Sequence, residues 1–164
     1  MYFYAAYGSN LNKKQMLERC PASKPYKGLK LDGYRLVFNG VANIEKKIKN
    51  NIFIGIYSIT KECEKSLDVY EEFPLIYKKR FIFAMVKGKK KKIMFYAMNN
   101  RFDYSVPYLK YFNVIKKGYE DWGFDIINLK NAGKHSLDNN TVRGYKSRNW
   151  KEQTFINEKS LNFS

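Results

Sequence analysis

Groups able to do chemistry are scarce in this 164-residue chain, and the scarcity narrows what it can do. There is one histidine, His135, and the two cysteines, Cys20 and Cys63, form no CxxC pair. A zinc centre of the usual His/Cys kind cannot be assembled from that set, and a Ser or Cys nucleophile would have only His135 to take its proton. His135 falls in the polar stretch 134–140, whose turn-rich composition predicts an exposed side chain. Chemistry must then run on carboxylates, tyrosines and backbone groups, with no metal and no cofactor expected. One backbone arrangement stands out. Tyr7-Gly8-Ser9-Asn10 is a run of turn formers between the apolar residues 2–6 and the helical pattern Leu11, Met16, Leu17. A strand, a tight loop and a helix start turn successive N–H groups towards one spot, which favours a carboxylate or another anion. Small residues at such a connection also have a purely structural use.

The elements that must position this loop follow from periodicity and turn chemistry. Residues 2–6 read as a short buried strand, and 34–38 and 52–59 as two more, with 39–51 as a turn-rich basic connection. Thr60 can cap a short helix through Tyr70 whose buried face carries Cys63 and Leu67. Residues 80–86 and 93–98 read as paired strands, with the lysine run 89–92 as a solvated hairpin tip. Pro107 suits a first helical turn, and Leu109, Phe112 and Ile115 form an apolar stripe that stops near Gly118. A further short helix after Asp125 carries Ile126, Ile127 and Leu129. Short strands with helices between them, out of clean βαβ alternation, predict an α+β fold with a small mixed or closed sheet. One domain over 1–133 is expected, followed by a polar, basic tail or appendage over 134–164, in which Trp150, Phe155 and Ile156 are apolar enough to dock.

Lys+Arg 31 against Asp+Glu 15 leaves a formal charge of +16, which ordinarily points to nucleic acid or an anionic surface. Only six of the basic residues are Arg, the better reader of phosphates and bases, so no nucleic-acid partner is expected. No window approaches the roughly 20 apolar residues of a membrane helix, and no membrane association is expected. The opening residues lack the basic start of a signal peptide, and two unpaired cysteines fit reduced thiols, so the expected location is the cytoplasm.

Taken together, the segments resemble the γ-glutamylcyclotransferase family with its AIG2-like relatives. The resemblance rests on four ordered segments between residue 2 and about 133. They are Tyr7-Gly8-Ser9-Asn10-Leu11 with Met16 and Arg19-Cys20-Pro21-Ala22, then Leu67-Asp68-Val69-Tyr70-Glu71 with Tyr77, then Phe95-Tyr96-Ala97-Met98, and finally Tyr111 ahead of Gly118. The resemblance implies a small mixed β-barrel flanked by helices, a cavity shared by the first loop and Glu71, and a small γ-glutamyl substrate. It also implies a reaction in which a γ-glutamyl amide closes on itself to give 5-oxoproline and a free amine. Glu71 is then the general base and acid, residues Tyr7, Gly8, Ser9, Asn10 and Leu11 bind substrate, and Tyr77, Tyr96 and Tyr111 line the pocket and donate their hydroxyls. The protein would be a monomer or a homodimer.

That reaction suits the residues present, because the substrate brings its own nucleophile, the α-amine. A carboxylate in an aromatic, partly dry pocket has its pKa raised towards the working pH. One position departs from the family pattern: Glu72 stands where glycine is common, and its side chain and charge could narrow the site, raise the pKa of Glu71 or point outward harmlessly, or Glu72 could face the cavity in place of Glu71. Three other readings compete. The chain could remove a γ-glutamyl protecting group from a biosynthetic intermediate, act as a non-catalytic binding module, or be a basic nucleic-acid-binding module.

Overall fold

A computed structural model describes residues 2–150 and 154–163. Strand β1 (Tyr2–Ala6) leads through Tyr7 and Gly8 into a single 3-10 turn (Ser9–Leu11) and helix α1 (Lys13–Arg19). Two long strands follow, β2 (Lys24–Phe38) and β3 (Ala42–Ile59), then helix α2 (Lys61–Tyr70) and the hairpin β4 (Tyr77–Val86) and β5 (Lys89–Met98). Helices α3 (Leu109–Trp122) and α4 (Ile127–Asp138) complete the regular structure, apart from a short 3-10 turn, Glu158–Leu161. The five strands form one mixed sheet in the order β2-β3-β1-β5-β4, with β1 parallel to β5 and the other pairs antiparallel. Among the described residues no helix is long and apolar enough to cross a membrane.

The expected barrel is not closed. Its edges, β2 and β4, do not pair, and the far end of the β2–β3 ribbon meets the β4–β5 hairpin through side chains instead of a ladder. Tyr77 OH donates to Ala42 O at 2.6 Å, and Met98 N donates to Asn43 Oδ1 at 2.9 Å. The ribbon reaches that far because register shifts between Pro25 and Lys27 and between Asp32 and Tyr34 bend it, as bulges do.

Several element boundaries differ from those expected. Most of 39–51 is strand β3, paired with β2 through positions such as Arg35↔Glu45, so the connection shrinks to 39–41. Lysines and asparagines there read as loop, yet a ladder is made by backbone groups and tolerates solvated side chains. Likewise the lysine run 89–92 opens β5, opposite 83–86, and the tip is Lys87-Gly88, both with positive φ, 50° and 75°. Such a two-residue turn matches the twist of the flanking strands. Pro107 precedes the helix, and α3 runs past Gly118 to end at Gly123, whose φ of 67° supplies the left-handed cap.

Gly118 is needed for contact instead of termination. A Cβ there would stand 2.6 Å from both Asn12 N and Leu11 Cβ, so its absence lets α3 seat directly on the 3-10 turn. Helix α2 agrees with its expectation: Thr60 Oγ1 accepts from Cys63 N at 3.1 Å, and Cys63 and Leu67 are buried. Helix α4 extends well beyond the short helix expected, so residue 134 lies inside it. His135 is half-buried on α4 with its ring edge-on to Tyr104 at 4.6 Å, not free on the surface. Burial lowers its pKa.

Candidate active site

The loop after β1 and the end of α2 face one cavity, part of it open to solvent. Glycine at position 8 permits this, because a Cβ there would approach Ala42 Cβ to 3.0 Å. Within the loop, Leu11 N bonds Gly8 O and Asn12 N bonds Ser9 O. The N–H groups of Gly8, Ser9 and Asn10 have no protein partner among the described residues, and all three residues stand on the cavity wall. Leu11 does not. It is fully buried beneath the loop, and its carbonyl accepts from Trp122 Nε1 at 2.8 Å.

Glu71 lines the cavity immediately after α2, with its N–H closing the helix onto Leu67 O at 2.8 Å. Burial pushes its carboxyl up to about 8, opposed in part by the positive charge of Arg19. Asn10 connects the two. Its amide nitrogen donates to Glu71 Oε1 at 3.2 Å and to Tyr4 OH at 2.9 Å, while its oxygen accepts from Arg19 Nη1 at 2.6 Å. Arg19 is itself held by Gln15 Oε1 at 2.7 Å and lies 3.7 Å over the Tyr70 ring. Since the main-chain oxygen of Asn10 also accepts from Tyr57 OH, this residue orients the carboxyl from a rigid base.

Tyr7, Tyr77, Tyr96 and Tyr111 all line the cavity. Two of the three expected hydroxyl donors, Tyr77 and Tyr96, cannot donate to a substrate, because their protons are committed to the protein, and the hydroxyl of Tyr7 is committed likewise. Tyr7 OH donates to Tyr96 O at 2.6 Å, Tyr77 OH to Ala42 O, and Tyr96 OH to Asp68 Oδ1 at 2.6 Å. These bonds tie α2 and the hairpin to the loop, and Asp68 is further braced by Lys79. Tyr111 differs: its hydroxyl accepts from Ala42 N at 2.9 Å and keeps its proton. Tyr4, which accepts from Asn10, keeps its proton too. Burial raises the pKa of both hydroxyls, so they remain protonated donors.

Sequence reasoning missed part of the wall. Tyr4 and Tyr70 lie beside residues it did select, and Arg19 was inside a quoted motif without a role. Tyr145, Ser147, Asn149 and Trp150 also line the cavity. Trp150 Nε1 donates to Tyr70 OH at 3.0 Å, and its ring packs edge-on against Tyr111 at 5.2 Å. Nothing periodic marks these residues; contacts with distant elements bring the segment over the sheet, among them the pairing of Tyr145 N with Asn39 O, a Gly40 that leaves no room for a Cβ under Tyr145, and Asn149 Nδ2 donating to Tyr70 O at 3.2 Å. Glu72 faces the cavity beside Glu71 and pairs with Arg148 at 2.7 Å. Its φ of 51° is the left-handed region where a non-glycine residue costs roughly 1–2 kcal/mol, which gives a backbone reason for glycine at this position.

No protein-family profile and no curated protein matches the chain. Solved structures do. An uncharacterized human protein aligns over 97% of this chain and 95% of its own, with TM-score 0.70 and 18% identity. A structure named gamma-glutamyl cyclotransferase aligns over the same shares with TM-score 0.69 and 18% identity. YkqA from Bacillus subtilis aligns over 85% of this chain and 55% of its own, again at 0.69 and 18%. The chain therefore has the fold of a gamma-glutamyl cyclotransferase, as an open five-stranded sheet with four helices.

Proposed function

We propose that this cavity converts a γ-glutamyl amide into 5-oxoproline and a free amine. The observation that carries the reading is Glu71, a cavity carboxyl raised to about 8 and hydrogen-bonded to the loop in which the N–H groups of Gly8, Ser9 and Asn10 have no partner among the described residues. The substrate's α-carboxylate sits on the N–H groups of Gly8, Ser9 and Asn10, and its γ-carbonyl meets the hydroxyl protons of Tyr4 and Tyr111.

The ionised form of Glu71, which a pKa of about 8 leaves populated near neutral pH, takes a proton from the α-ammonium, and the freed amine attacks the γ-carbonyl carbon, closing the ring. The new C–N bond places negative charge on oxygen, where the two hydroxyls stabilise it. Glu71 returns its proton to the departing nitrogen and the original C–N bond breaks. The ring nitrogen sheds its second proton through the same carboxylate, and the amine leaves as an ammonium. Holding the folded chain in this geometry is worth roughly 7–11 kcal/mol in well-oriented intramolecular reactions. Proton transfer by a positioned carboxylate contributes about 10²–10⁴-fold.

A γ-glutamyl protecting group on a biosynthetic intermediate would leave by the same step, so the two readings share one mechanism and differ only in the leaving amine. The test is incubation with a panel of γ-glutamyl dipeptides and γ-glutamyl amines, following 5-oxoproline. Absence of product across the panel refutes the reading.

A further inference from the structure

The basic character of this chain stops at the cavity. Although the protein carries 31 Lys and Arg, none of them lines the cavity among the described residues, and its ionisable lining consists of Glu71, Glu72 and tyrosines. Glu71 is engaged by Asn10 and reserved for the glutamyl amine. Glu72 is not needed for that chemistry, yet its backbone holds a left-handed conformation that aims a second carboxylate at the same space.

The cation on Glu72 comes from the protein itself. Arg148 Nη2 lies 2.7 Å from Glu72 Oε1, and the two side chains differ sharply in exposure, 79% for Arg148 against 19% for Glu72. The carboxylate is fixed in the wall, while the guanidinium is anchored by nothing else among the described residues. An ion pair with one partner this exposed adds little stability, so another cation can displace the arginine at small cost.

We propose that Glu72 is a specificity-determining residue that selects γ-glutamyl amides whose leaving amine carries a second positive charge, Arg148 occupying that cation's place when the cavity is empty. The inference rests on the cyclotransferase reading. The glutamyl half lies between the Gly8–Asn10 loop and Glu71, and the leaving amine extends past Glu72 towards Ser147, Asn149 and Trp150. Its methylene chain lies against the Trp150 ring and its terminal ammonium replaces Arg148 on Glu72. A leaving group ending in a carboxylate meets two glutamates and is disfavoured.

The test compares three amides of similar length, γ-glutamyl-diaminopentane, γ-glutamyl-hexylamine and γ-glutamyl-aminopentanoate, by kcat/KM for 5-oxoproline formation. The cationic amide should exceed the neutral one by about tenfold, the scale of a charge-assisted hydrogen bond in a partly dry site, and the anionic one by more. In Glu72→Gln the cationic-to-neutral ratio should fall to about one. Glu72→Gly should do the same while relieving the backbone, so a folding defect in the first variant does not leave the question open. Arg148→Gln should raise the ratio, because the internal competitor is gone. Equal turnover of all three amides by the wild type, a ratio that survives in both Glu72 variants, or a preference for the anionic amide overturns the role of Glu72 and leaves the cyclotransferase reading standing. No 5-oxoproline from any amide removes that reading and this inference with it.

Discussion

Replacing Glu71 by Gln keeps the side-chain shape and an oxygen for Asn10 Nδ2 while removing the proton acceptor. Turnover should fall by about 10²-fold or more. Stability should respond as well, and its sign follows from the direction of the shift. The carboxyl is raised from 4.5 to about 8 in the folded protein, so between those pH values the native state holds a proton that the unfolded chain has released. Its contribution is therefore fully present at low pH and is lost as pH rises through about 8. At ~1.4 kcal/mol per tenfold change in proton affinity, a wholly dry carboxyl would lose ~5 kcal/mol over that interval. Glu71 keeps partial contact with the open cavity, and water there brings the expected loss down to about 2–4 kcal/mol. Urea denaturation of wild type and Glu71→Gln from about pH 5 to about pH 9 measures it directly. Wild type should lose about 2–4 kcal/mol relative to the variant as the pH rises. Parallel stability curves would mean a hydrated carboxylate, and undiminished turnover in the variant would remove Glu71 from the reaction.

Other outcomes follow from the same geometry. Arg19→Met leaves apolar bulk over Tyr70 but removes the charge behind Asn10, so the acid limb of the kcat/KM profile should move upward by about one pH unit; an unchanged midpoint would sever Arg19 from Glu71. Tyr111→Phe strands the buried Ala42 N–H and should cost about 1–3 kcal/mol in chemical denaturation, together with slower turnover from the lost cavity donor. Gly118→Ala drives a Cβ into the 3-10 turn and should destabilise by about 1–3 kcal/mol, whereas wild-type stability would show that α3 is not seated there.

The residues legible in the sequence were those whose type carries local information. Gly8, Ser9 and Asn10 announced a turn between a strand and a helix, and they occupy one. Thr60 announced the start of α2 and forms its cap. With the start of α2 set, Glu71 falls at its end, beside the loop. By contrast, the polar side chains of 39–51 and of the lysine run 89–92 point to a loop and a hairpin tip, whereas strand pairing there is decided by backbone bonds to partners distant in the chain. Gly118 has the local look of a stop signal, although its cause lies in another element, the turn it touches.

By itself the sequence determined what kinds of chemistry were open: one histidine and no CxxC pair left carboxylates, tyrosines and backbone amides. It also determined the order of α+β elements that carries them. Only the tertiary structure decided how those groups act. A tyrosine in a sequence is a potential donor, but whether its proton is free depends on acceptors far along the chain, such as Tyr96 O for Tyr7 and Ala42 O for Tyr77. The affinity of Glu71 for its proton likewise comes from surroundings gathered from distant segments, as does the wall formed by 145–150. Hydrogen-bond commitment and desolvation are properties of three-dimensional neighbourhoods, and no local pattern in the chain records them.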